Sequence, residues 1–188
     1  MGLFSRKKKG PSDQDLERLK HDIKGSSKYA HEASVKHATG EVSYLRDLKS
    51  EVNSSAAHSA APSYGQRMRM SAVVEYALAE ACREERRAKA KYEAATKLDN
   101  GNVNPYREKT ILTTCYEALE TANRCAESSY ESIASAARDK GGFPKHAPKK
   151  KVQRYISAHT PGYFSHDQGR DFKKIADSVG TASVAKLK

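Results

Sequence analysis

The stretch Asp99-Asn100-Gly101-Asn102-Val103-Asn104-Pro105 divides two long segments of helical apolar spacing, and it limits the chain to few folds. Gly and Asn readily take the left-handed conformation that closes a helix C-terminus. Asn104 then serves as the N-cap of the next helix, with Pro105 at the first helical position, where a missing N–H does no harm. So short a connection makes the flanking helices antiparallel neighbours, each about 50 Å long for roughly 34 residues at 1.5 Å rise.

The segment before the break, about residues 66–98, repeats Val74, Ala81, Ala88 and Ala95 every seventh position, and Ala77, Leu78, Tyr92 and Leu98 widen the stripe. Arg83, Glu84, Arg86, Arg87, Lys89 and Glu93 fill its other face. After the break, about 104–140, the seam reads Ile111, Cys115, Ala118, Ala122, Cys125, Ser129 and Ala136, supported by Leu112, Leu119 and Ile133, and stops at Gly141-Gly142 and Pro144. This pattern is coiled-coil-like. Small seam residues remove little apolar area from water, so the pair needs a further helix or a second copy of the chain.

The further helix is predicted over 12–58. Ser12 and Asp15 form a capping box at its start, and Leu16, Leu19, Ile23, Ala38, Val42, Leu45, Leu48 and Val52 recur at helical spacing. Gly25-Ser26-Ser27 and Gly40 interrupt the pattern, so either one helix bends or two share the stretch, before a turn over Ser59–Gly65. The expected class is all-α: an elongated helical hairpin or three-helix coiled-coil-like bundle with basic, partly disordered tails. Residues 1–11 form a basic N-terminal segment, 12–140 the bundle, and 141–188 a flexible basic tail with a short helix at 171–179 using Phe172, Ile175, Ala176 and Val179. A mean hydropathy of -0.82 with 37% hydrophobic residues is lean for a globular core and suits such an assembly.

The net charge of +11 is unevenly placed. Residues 1–10 hold four cations and no acid, residues 141–188 hold ten cations against three acids, and the middle carries 20 of each sign. Polyanion contact therefore belongs to the ends. At the first end, Leu3 and Phe4 suit an acyl boundary while Arg6, Lys7, Lys8 and Lys9 face anionic headgroups, each worth on the order of 1 kcal/mol. Gly2 is a candidate for myristoylation, the hydrophobic half of a two-signal anchor, with Arg6 standing where the motif has Ser or Thr. At the second end, Lys145, Lys149, Lys150, Lys151 and Arg154 form another polyanion contact. Tyr155, Tyr163 and Phe164 follow them, a combination suited to phosphate contact and base stacking on a single strand.

The opening residues resemble those of myristoylated ESCRT-III subunits, which also continue into a long helical hairpin. The likeness stops at Lys9, and the C-terminal portion here is basic where that family's is acidic. The three-helix plan is similar to that of BAR domains, whose helices are longer.

Other classes find no support in the residues. The apolar run Ser71–Leu78 is broken by Glu75 and falls short of the roughly 20 residues a transmembrane helix needs. The start lacks the apolar h-region of a secretory signal. Cys82, Cys115 and Cys125 make no CxxC, which fits a reducing compartment. There is no Gly-rich phosphate loop, GxSxG elbow or HExxH, and His31 and His37, six apart, fall on opposing helix faces. No catalytic, metal or cofactor site is expected. The expected protein is a non-enzymatic, self-associating peripheral membrane scaffold or membrane-remodelling protein, cytoplasmic, on the inner face of a membrane and bound to anionic lipid. The alternative is a viral matrix- or core-like structural protein, with membrane at the N-terminus and nucleic acid at the C-terminal tail.

Overall fold

The computed structural model describes residues 10–99, 103–160, 172–180 and 184–187, and among them all regular structure is helical. The helices are α1 (Asp13–Lys24), α2 (Lys28–Glu51), α3 (Ser55–Ala60), α4 (Tyr64–Asp99), α5 (Pro105–Asp139), α6 (Lys149–His159) and α7 (Phe172–Gly180), followed by a single 3-10 turn at Val184–Leu187.

Local capping chemistry sets most of these bounds. Ser12 accepts from the Asp15 N–H while Asp15 accepts from the Ser12 N–H, so both halves of the capping box are made. Asn104 accepts from the Arg107 N–H at 2.9 Å, with Pro105 opening α5. The stretch expected as one bent helix or two is three helices, because Ser27 and Ser54 each cap a new start through the N–H of Ala30 and Ala57. Gly40 does not break α2. The turn around Pro62 shrinks to 61–63, where Ser63 accepts from the Gln66 N–H, so α4 begins at Tyr64 rather than 66. At the end of α5, Gly141 takes φ +81, and the N–H groups of Gly142 and Gly141 reach the carbonyls of Ala137 and Arg138 at 2.9 and 3.0 Å. That is the Schellman closure, open to glycine without strain.

The central element is α4, against which α2 and α5 make their main contacts. α5 passes it in the opposite direction. Cys115 Sγ meets the Ala90 carbonyl at 3.5 Å, Asn123 accepts from Arg87 at 3.0 Å, and Tyr130 stacks on Tyr76 with centroids 4.4 Å apart. The Tyr130 hydroxyl donates to Glu80, whose carboxylate also pairs with Arg83 at 2.6 Å. Burial, then the Glu80 carboxylate, raise the Tyr130 phenol pKa, so it stays a donor.

The main core gathers around the first half of α4. Leu45, Met70, Val73, Val74, Val152, Ile156 and Val179 are fully buried there. A smaller cluster at the other end packs Leu16, Leu19 and Ile23 of α1 on Ala94, Leu112 and Cys115.

Two expectations are corrected. The seam of α5 is Leu112, Cys115, Ala122, Ala126, Tyr130, Ile133 and Ala137, whereas Ala118 and Cys125 are exposed; on α4, Ala94 is buried while Ala88 and Ala95 are half-buried. A strict seven-residue repeat drifts by about 20° per heptad on a straight helix, and the contact follows the 3.6-residue period. Second, the described parts of the expected flexible tail belong to the core. Phe143, Ala147, Val152, Tyr155, Ile156, Phe172, Ile175, Ala176 and Val179 are buried in the main cluster. The supposed extended linker runs into α6, and the expected short helix at 171–179 is docked as α7.

Side chains hold α7 near its C-terminus, where the last four carbonyls have no partners within the helix. Gln66 Nε2 donates to Ala176 at 2.9 Å, and Arg69 Nε and the Tyr155 hydroxyl donate to Val179 at 3.1 and 2.9 Å. Phe172→Ala should release α7, since deleting a buried Phe costs about 3–5 kcal/mol, more than nine residues of helix hold locally. Hydrogen exchange is expected to accelerate in α7 and leave α4 and α5 protected; equal acceleration in α4 would make α7 part of the same cooperative unit.

Candidate functional site

Of the first end's residues, Gly2, Leu3, Phe4, Arg6, Lys7, Lys8 and Lys9 lie outside the described residues. Their point of attachment is described. Gly10 is exposed, and the capping box turns the chain into α1 at Ser12. Asp13 pairs with Lys109 at 2.8 Å, and Lys20 and Lys24 pair with Glu108, which fixes the start of α1 beside the first turn of α5. The Lys20 hydrogen bond holds the Glu108 carboxyl below its ordinary 4.5. Its stabilising contribution is therefore present above that value and is lost as pH falls through the lowered one. Tyr106, 83% exposed, stands at this end between Pro105 and Arg107.

The second end is built on α6. Pro148 opens the helix without a side-chain cap, and Lys149, Lys150 and Lys151 occupy a first turn that has no acid. Cations there oppose the helix dipole. What holds the helix is its other face: Val152 and Ile156 are fully buried, and Tyr155 packs edge-on to Phe143 with centroids 5.2 Å apart. Lys145, Lys149, Lys150, Lys151 and Arg154 are all exposed, the last four on the anchored helix and Lys145 in the turn that leads into it. Lys173 and Lys174 of α7 add to this end. The sequence reading left them out of the site, although their place between Phe172 and Ile175 is what sends them outward.

Tyr155 corrects the stacking expectation. It is buried at 8% exposure, lies against His159 at 4.1 Å between centroids, and donates to Val179, so it offers no face to a base. Tyr163 and Phe164 lie outside the described residues. His31 is also buried, its Nε2 at 2.9 Å from the Ile23 carbonyl where it ties α2 to α1. His37, six residues on, is exposed, and both border one cavity of about 650 Å³. Among the described residues no group of three or more His, Cys, Asp or Glu is placed to hold a metal ion, and no helix is long and apolar enough to cross a membrane.

The cysteines differ in reactivity. Burial pushes the Cys115 thiol up to about 11, while Cys125 is exposed and Cys82 lies between. Iodoacetamide at pH 8 should alkylate Cys125 first and Cys115 last, because only the thiolate attacks. Early modification of Cys115, read by peptide mass, would contradict its place in the α1–α4–α5 core.

No protein-family model matches this chain, and comparison with curated proteins and with solved structures finds no match either.

Proposed function

We propose that the chain is a non-enzymatic peripheral membrane scaffold that binds anionic lipid through its cationic ends, at the cytoplasmic face of a membrane. The observation that carries this reading is the exposure of Lys149, Lys150, Lys151 and Arg154 on a helix whose opposite side is buried in the main core, with Lys145 exposed in the turn before it. Side chains presented from a packed helix lose less freedom on contact than those of a disordered tail, so each cation acts at nearly its full worth near an anionic surface. Lipid is favoured over a single-stranded nucleic acid because Tyr155 is turned inward.

Self-association was expected because the hairpin alone is poorly covered. Here α1, α2, α6 and α7 pack on α4 or α5 and α3 packs on α7, so packing does not demand a second copy. Assembly enters the proposal only on the membrane, where copies are concentrated; sedimentation velocity of the free protein should give a monomer.

Co-sedimentation with phosphatidylserine-containing and pure phosphatidylcholine vesicles tests the reading, with and without a single-stranded RNA competitor. Binding to the anionic vesicles alone, weakening with salt, is the expected result. Equal binding to neutral vesicles, or no binding until RNA replaces lipid, would defeat it. Leu3→Ala with Phe4→Ala should weaken partitioning by a few kcal/mol if both side chains insert, at about 1.5–3 kcal/mol each.

A further inference from the structure

Two of the three cysteines, Cys82 of α4 and Cys125 of α5, line one cavity of about 420 Å³. The contacts on either side of them put both at the same level of the helix pair. Tyr76 of α4 stacks on Tyr130 of α5, and Arg87 of α4 donates to Asn123 of α5. Cys82 falls between Tyr76 and Arg87 along one helix, and Cys125 falls between Asn123 and Tyr130 along the other. Ala79, Ala122 and Ala126 line the same cavity, and small side chains at a contact let two helix axes approach at the short end of their range.

Both thiols can be reached by a small reagent, since Cys125 is exposed and Cys82 is half-buried. Of the charged residues that line the cavity, among the described residues, Lys49, Arg83 and Arg86 are cations and only Glu75 is an acid, a surround suited to an anionic reagent. Cys115 is placed differently. It is buried beyond the Arg87–Asn123 pair, with its Sγ on the Ala90 carbonyl, and takes no part in the lining.

From this arrangement we propose that Cys82 and Cys125 are a redox-sensitive thiol pair, oxidised by glutathione disulfide to a bond that ties α4 to α5 across the cavity. The Cys125 thiolate attacks one sulfur of glutathione disulfide, breaking its S–S bond and releasing one glutathione, which takes up the proton that Cys125 gave. The Cys82 thiolate then attacks the Cys125 sulfur of the mixed disulfide and expels the second glutathione, which takes up the Cys82 proton. Two protein thiols are oxidised and one disulfide is reduced to two thiols, so electrons and protons balance. In a reducing compartment a bond of this kind senses the redox state rather than supporting the fold. The proposal stands apart from the membrane reading, which survives its failure.

Incubation of the full chain with glutathione disulfide, followed by acid quenching, intact mass and non-reducing peptide mapping, tests it. The expected product has lost the mass of two hydrogens, contains a Cys82–Cys125 linked peptide, no longer alkylates at Cys125, and reverts with dithiothreitol. Cys82→Ser should stop at the mixed disulfide on Cys125, gaining the mass of one glutathionyl group, with unchanged helical circular dichroism. Cys115→Ser should form the same bond as the unaltered chain. The proposal is overturned if the unaltered chain also stops at the mixed disulfide, if Cys125 links two chains instead, if the bond formed under native conditions involves Cys115, or if neither thiol reacts.

Discussion

Val73→Asp is expected to abolish the cooperative thermal transition seen by circular dichroism. Val73 is fully buried where α2, α5, α6 and α7 converge on α4, among Leu45, Met70, Val74 and Ile156. A carboxylate there loses its hydration among apolar side chains, a penalty of several kcal/mol even after relaxation. Domains of this size are stable by about 5–15 kcal/mol, so one such group consumes most of that margin. Cys125→Asp supplies the control. The seven-residue repeat places Cys125 in the seam, whereas it is exposed on α5, and an exposed substitution changes stability by about 0.5 kcal/mol or less. If Cys125→Asp were as damaging as Val73→Asp, the register of α5 described above would be wrong.

The second large effect concerns affinity. Lys149→Ser, Lys150→Ser and Arg154→Ser together should weaken binding to anionic vesicles by about 100-fold, from roughly 1 kcal/mol for each cation near the surface. Stability should hardly change, because all three side chains are exposed and the α6 face that packs is Val152, Tyr155 and Ile156. Removing Lys149 and Lys150 from the first turn also relieves their conflict with the helix dipole, so a small rise in thermal stability is the expected companion. The affinity loss should shrink as salt rises, since screening weakens what the cations supply. A variant with full affinity at low salt would take α6 out of the contact.

Much of the local structure was legible because it is written in short-range chemistry. Ser12 with Asp15, Asn104 with Pro105, and Gly141 with Gly142 each mark a helix end through bonds spanning three to five residues, and all three ends fall where the residues put them. The apolar positions Leu16, Leu19, Ile23, Val42, Leu45 and Leu48 are buried as their spacing implies. The all-α class follows from these. The division of 12–58 was half legible: Gly25 and Ser27 flagged one break, while Ser54 passed unnoticed in a serine-rich stretch.

The C-terminal quarter was misread because charge drew attention away from spacing. Val152, Tyr155 and Ile156 recur at helical intervals amid the lysines, and an apolar face that narrow becomes stable only when α4 and α5 supply the surface it buries against. The candidate site carries the same lesson. Composition identified which residues are cationic and that the middle of the chain is balanced, and it named the five cations of the second end.

The sequence by itself determined the helices, their principal caps and the signs of the charge at the two termini, because each depends on neighbours along the chain. Tertiary structure alone decided that the described parts of the basic tail are packed helix and that Tyr155 faces inward. Those facts depend on which apolar faces meet across long sequence separations, from Gln66 and Arg69 to Ala176 and Val179, and no local pattern records them.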